Sequence, residues 1–164
     1  MLKNSASHIR GFLLTMYLRY RCGCKVGKGL CCAGFPRWYR RPQKNVEFGD
    51  YIEMGHDIEI LLKRKGRLII HNHVNMGNYS VWAINDRVEV GSYSGVAAFS
   101  SIRDSNHGTT LGTPTLQQDV VCRPIFIGDD VWIGERVAVL MGSIIPDGCV
   151  IAANAVVLGK SKLE

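Results

Sequence analysis

From Ile127 onward an aliphatic residue returns at every sixth position. Ile127, Ile133, Val139, Ile145 and Ile151 open five consecutive sextets, and Val157 opens a sixth. The fifth positions are Val131, Val137, Ser143, Cys149 and Ala155, all small or β-branched. A period of six is neither the 3.6 of an amphipathic helix nor the 2 of a half-buried strand. It predicts one short strand and one turn per repeat, stacked as a solenoid. Upstream the period runs through Ile84, Val90, Val96 and Ile102, and more loosely through Phe48, Met54, Ile70 and Met76. It slips at the basic turn Lys63 to Arg67 and again near Trp82. Three strands close a triangular coil of roughly 18 residues, which leaves room for about six or seven coils. Position one then points inward and position six outward. Many glycines fall at position two, where a tight turn is expected.

Two segments stand outside the period. Residues 7–21 read as a helix with Ile9, Phe12, Leu13, Met16, Tyr17 and Tyr20 at helical spacing and Arg10, Arg19 and Arg21 at the edges. Its apolar face would cap the open first coil, or lie on a membrane surface. Residues 103–124 leave the period altogether. An excursion of about twenty residues from a compact fold is usually functional. The expected organisation is a basic helix and arm over residues 1–45, which holds an imperfect first coil from Val26 to Cys31 and Cys32 onward, broken by an irregular Phe35 to Gln43 stretch. The solenoid with its 103–124 loop follows over residues 46–162. Leu163-Glu164 reads as a cloning-site remnant.

Composition adds one asymmetry. The formal net charge is +6. Residues 1–44 hold ten Lys or Arg and no Asp or Glu, so the basic character belongs to the arm. Such an arm can meet phosphates, anionic lipid or nucleic acid, or simply be solvated. Phe35, Trp38 and Tyr39 interleave with Arg37, Arg40 and Arg41, yet no nucleic-acid module accompanies them, and no nucleic-acid partner is expected. Cys22, Cys24, Cys31 and Cys32 lack the usual zinc spacing, so no metal is expected. The run Phe12 to Leu18 is too short to span a bilayer. A reduced, cytoplasmic setting is expected, with peripheral contact at the inner face of the membrane through the arm.

The chemistry concentrates at Asp104-Ser105-Asn106-His107-Gly108, where the chain enters the long loop. His is the side chain tuned for proton transfer near neutral pH, which makes His107 the candidate general base. Asp104 could orient it, or could instead satisfy turn amides. Ser105 and Asn106 are candidates for contacting a substrate. Trp132, at an outward position six, suits a binding wall or a subunit contact.

The sextets resemble those of the hexapeptide-repeat proteins, which form left-handed parallel β-helices. The stretch Pro124 to Gly134, with Asn106-His107-Gly108 before it, is similar to the O-acetyltransferases of that family, including galactoside, maltose and polysaccharide acetyltransferases. The resemblance covers residues 84–158 well. It implies acetyl-CoA as co-substrate and a sugar or glycan hydroxyl as acceptor, with other small acceptors, an antibiotic or an amino acid, as the alternative. It implies His107 as base and Trp132 at the thioester end of the cofactor channel. The pantetheine arm would run near Gly142 and Ala153, with Lys160 or Arg136 toward the phosphates. It also implies a homotrimer with a site between subunits. The chain departs from the family where a Thr-Lys pair and a closing helix are usual after the last coil. It has Leu158-Gly159-Lys160-Ser161 there, which suggests a truncated or naturally short C-terminus. Rival readings are a zinc hydratase on the same solenoid, which needs three gathered histidines, and a non-catalytic binding solenoid.

Overall fold

The computed structural model describes residues 5–159. Lys160 and the Leu163-Glu164 pair lie outside them. Three six-stranded parallel sheets face one another as a triangular prism. Sheet A runs from strand Lys25–Val26 to Ile144–Ile145, sheet B from Cys31–Cys32 to Val150–Ile151, and sheet C from Arg37–Trp38 to Val156–Val157. The chain visits them in the order A, B, C, so each coil is one strand of each, and six coils stack. This is the left-handed parallel β-helix that the resemblance implies.

The sextet register follows the sequence. The position-one residues Val90, Val96, Ile102, Ile127, Ile133 and Val139 are buried in one continuous core, with position five beside them. Three buried serines at position five are satisfied from within. Ser94 Oγ donates to Gly128 O at 2.8 Å and Ser100 Oγ to Gly134 O at 2.9 Å. Ser80 Oγ accepts the indole N–H of the fully buried Trp82 at 3.0 Å. Each of these core hydroxyls is therefore paired.

The turns differ from expectation in where their strain sits. Left-handed φ values occur at position four, as in Tyr51, His73, Tyr93, Asp130 and Arg136. The glycines at position two are required for another reason, which is close stacking. A Cβ on Gly128 would come within 2.7 Å of the Asp147 amide nitrogen in the next coil. Stacked Asx side chains close the same corner: the Asp50 N–H donates to Asn72 Oδ1, and the Asp129 N–H to Asp147 Oδ1, both at 2.8 Å.

The imperfect first coil read from Val26 onward is complete in the structure. Strands Lys25–Val26, Cys31–Cys32 and Arg37–Trp38 form a complete first coil, paired to the second at Lys25↔Glu47, Cys31↔Glu53 and Arg37↔Glu59. The apparently irregular stretch 35–43 contains one of its strands, with Pro36 buried at the preceding turn. The four clustered thiols are buried core side chains, and burial pushes Cys24 and Cys32 up to about 11.

The N-terminal helix is also the reverse of a simple apolar cap. Helix Ser5–Met16 buries Ser7, Gly11 and Leu14 against the first coil. Ile9, Phe12, Leu13 and Met16 point away and are exposed. Gly11 explains the orientation. A Cβ there would lie 2.7 Å from the Leu30 carbonyl carbon and 2.9 Å from Cys31 Cα, so the helix backbone rests directly on the coil.

Every departure from an 18-residue coil leaves from the corner between sheets C and A. Register partners Phe48↔Ile70, Ile70↔Val90, Val90↔Ile127 and Ile127↔Ile145 mark successive steps of sheet A. The extra residues of the second coil form Lys63 to Gly66, those of the third Asn85 and Asp86, and those of the fourth the long loop. The excursion is the tallest of a stacked series along one edge.

Candidate active site

The long loop opens as a hairpin. Strand Ser105–His107 pairs antiparallel with Val120–Cys122, in register Ser105↔Cys122 and His107↔Val120. Its outer part is closed on itself by Gln118. The Gln118 side chain donates to the carbonyls of Thr110 at 3.0 Å and Thr113 at 2.7 Å and accepts the Thr110 N–H at 2.8 Å. The tip exposes Leu111 and Leu116.

Asp104 anchors the hairpin to the edge below it. Fully buried, it accepts the Asn85 N–H at 2.8 Å and the Asp86 N–H at 2.7 Å, one on each carboxylate oxygen. Burial raises its pKa, against the lowering effect of those amides. This is the Asx device of the A–B corner, used at the C–A corner. Among the described residues no hydrogen bond joins Asp104 to His107. The pattern of an extended strand explains this, since residues 104 and 107 are an odd number apart and face opposite sides. Asp104 thus holds turn amides, one of the two roles open to it.

Ser105 is likewise committed. It is buried, and its Oγ accepts from Asn85 Nδ2 at 2.5 Å. Asn106 is exposed, and its Oδ1 accepts the His107 N–H at 2.9 Å, which fixes the approach of the backbone to the histidine. The His107 ring is exposed at the hairpin's inner end. Asn85 organises both Asp104 and Ser105, and Cys122 lies opposite Ser105. The sequence offered no motif for either. Their link to the site is one coil of separation, 19 residues for Asn85 and Asp104.

The remaining sequence candidates are distributed around the prism. Gly142 lies on the His107 edge, with φ 77° and its N–H donating to Arg123 O at 3.1 Å where the loop returns. Trp132 is half exposed on sheet B, the side of the prism opposite that edge. Ala153 is exposed at the corner between sheets B and C, stacked on Gly134. Arg136, on the same corner, lies over the Phe99 ring with 5.5 Å from its guanidinium carbon to the centroid. Within one chain His107 and Gly142 share an edge, whereas Trp132 and Ala153 do not join them.

The histidines do not gather. His71 Nε2 lies 2.8 Å from Glu89 Oε1 in a 550 Å³ cleft on sheet A lined by Phe126, Ile144 and Asp147. His73 is stacked between Tyr51 and Tyr93, with centroids at 4.9 and 4.8 Å. Among the described residues no group of three His, Cys, Asp or Glu side chains is placed to hold a metal ion.

No family model matches the chain. Individual proteins do. It is 29% identical over 159 residues to WbbJ of Escherichia coli, a putative lipopolysaccharide biosynthesis O-acetyl transferase, covering 92% of this chain and 76% of that one. It is 31% identical over 115 residues to a probable acetyltransferase of Mycobacterium tuberculosis, covering 70% of this chain and 38% of that one. A hexapeptide-repeat acetyltransferase structure from Vibrio cholerae matches with a TM-score of 0.60 and 21% identity, over 96% of this chain and 73% of that one. The N-acyltransferase AntD of Bacillus cereus, solved with dTDP and 3-hydroxybutyryl-CoA, matches with a TM-score of 0.72 and 13% identity, over 92% and 78%. Repeat, solenoid and relatives together define a hexapeptide-repeat protein. Within that class, the chain is similar to the acetyltransferases.

Proposed function

We propose that the protein transfers an acetyl group from acetyl-CoA to a hydroxyl of a sugar or glycan, with His107 as general base. The observation that carries this reading is a histidine held at the root of an anchored hairpin on an otherwise regular solenoid. His107 would take the acceptor proton as the hydroxyl oxygen attacks the thioester carbonyl. As the C–S bond breaks, the imidazolium returns that proton to the departing thiolate. The relatives support the substrates: one is named for lipopolysaccharide O-acetylation, and AntD was solved with an acyl-CoA and dTDP.

The working unit in this reading is a homotrimer with sites between subunits. Trp132 and His107 lie on opposite sides of one prism, so a site using both takes them from two copies. Closed three-fold symmetry makes three equivalent such sites. Trp132 would wall the thioester end of the channel, and Gly142 and Ala153 would offer backbone to the pantetheine. Lys160 remains a candidate for the phosphates. Asn106, exposed beside His107, is the retained candidate for the acceptor. A cytoplasmic location with peripheral contact at the membrane belongs to the same reading.

Acetyl-CoA consumption by purified protein, screened over free sugars, nucleotide sugars and lipid-linked glycans, tests it. Turnover on one class with loss in His107→Ala is the expected result. No turnover on any sugar, with turnover on an antibiotic or amino acid, would redirect the acceptor assignment.

A further inference from the structure

The outward face of the N-terminal helix has no partner in the fold. On an α-helical wheel Ile9, Phe12, Leu13 and Met16 span an arc of about 100°, roughly half a turn from the docked face of Ser7, Gly11 and Leu14. Phe12 is 63% exposed and Ile9 60%. The helix is held by other means. Arg10 Nε donates to Cys32 O at 3.1 Å, and Arg19 Nε to Val26 O at 2.8 Å. So the apolar arc is not needed for attachment, and its display is a built feature.

The arc continues into the first coil. Leu13 and Tyr17 border a 340 Å³ groove completed by Phe35, Pro36 and Trp38. The Trp38 indole N–H points to no protein acceptor, although it is buried. Beyond the groove the surface turns cationic. Arg41 donates to the Arg21 carbonyl at the end of the π-helical turn Tyr17–Arg21, which continues the helix, and lines a 330 Å³ pocket with Arg40, Lys63 and Arg64. Among the described residues Arg40, Lys63 and Arg64 form no ion pair.

We infer that this end of the solenoid is a docking surface for an anionic lipid bilayer. The exposed arc enters the interface between headgroups and acyl chains, while the Arg and Lys pocket meets lipid phosphates. Both components of interfacial binding are present on one surface: apolar side chains on a helix face and cations beside them. The charge complementarity rests on Arg40, Lys63 and Arg64, since residues 1–44 contain no acidic side chain and Glu47 and Glu59 of the next coil pair with Lys25 and Arg37. The inference gives a surface to the membrane-side location proposed above. It does not depend on acetyl transfer, because lipid binding is read without turnover.

The test is co-sedimentation of the full chain with vesicles of phosphatidylcholine, with or without phosphatidylglycerol. The protein should pellet with the anionic vesicles, and less so as salt rises. Phe12→Asp should lower the partition coefficient by about tenfold or more. The pair Lys63→Glu and Arg64→Glu should lower it and flatten its salt dependence. These positions are exposed, so thermal melts should match the parent. The inference is overturned if the parent stays in the supernatant with anionic vesicles, or if Phe12→Asp pellets like the parent. It is also overturned if sedimentation shows the helix faces paired between copies in an assembly that Phe12→Asp dissolves.

Discussion

The indole of Trp132 covers Gly95, its register partner in the coil below, so closely that a Cβ at residue 95 would meet the ring at 2.7 Å. Gly95 has no left-handed φ to require glycine. What it supplies is the space in which a large ring lies against sheet B. Gly95→Ala should therefore lift the indole without unfolding the strand. Affinity for acetyl-CoA, measured by calorimetry, should fall in Gly95→Ala and in Trp132→Ala alike. Unchanged affinity in both would remove Trp132 from the channel wall.

His107→Ala should lower kcat/KM by more than about a hundredfold, the usual contribution of a general base. The ring makes no described contact within the fold, so the melting temperature should hold. A variant within a few-fold of the parent would show that another group takes the proton.

Asp104 should respond as an anchor. Asp104→Ala leaves the Asn85 and Asp86 amides, the first half-buried and the second on an exposed residue, without their acceptor, at a cost of about 0.5–1.5 kcal/mol for each lost hydrogen bond. The hairpin root should loosen, with a melting loss that His107→Ala does not share. The pH dependence has a definite sign. Burial raises the Asp104 pKa in the folded state, so that state binds the proton more readily than the unfolded chain. This group's contribution is fully present below its ordinary value and is lost as pH rises through its folded value. Melts of the parent and of Asp104→Ala across the acid range should diverge with that sign. Parallel curves would contradict it.

The parts of this protein that were legible in its sequence are those set by repetition. Ile127, Ile133 and Val139 announce their burial because each repeats the same local task. His107 was legible because it stands where that repetition stops. Asn85 was not, because its role is vertical: it contacts Asp104 and Ser105 across a coil boundary, at a separation fixed by corner length and not by the sextet. The first coil was legible only in its opening part, from Val26 to Cys32, and its last strand was hidden for a similar reason. Strands of two residues, such as Arg37–Trp38, carry too little pattern to be seen without the neighbour they pair with. The opposite placement of His107 and Trp132 depends on which of three faces each sextet occupies, and the 103–124 excursion obscures that count.

The buried thiols should be silent. With Cys24 and Cys32 pushed up to about 11 by burial, almost no thiolate is present at pH 8. A disulfide reagent such as DTNB should leave both unreacted in the native protein and titrate all six cysteines in denaturant. Rapid native modification of either, mapped by mass spectrometry, would show that the first coil opens.

The inverted helix makes the sharpest distinction between packing and display. A hydrophobicity pattern alone would assign stability to Phe12 and indifference to Gly11. The structure reverses both. Gly11→Ala places a methyl group against the backbone of Leu30 and Cys31, where neither side can yield as a flexible side chain would. The helix must lift, which should cost about 1–3 kcal/mol as overpacking does. Phe12→Ala removes a ring that touches mainly solvent and should change stability by no more than about 0.5 kcal/mol. Denaturant melts of the two variants decide the matter. A destabilised Phe12→Ala beside an undisturbed Gly11→Ala would mean that the helix docks through its large residues after all. That result would also withdraw the surface on which membrane binding was argued.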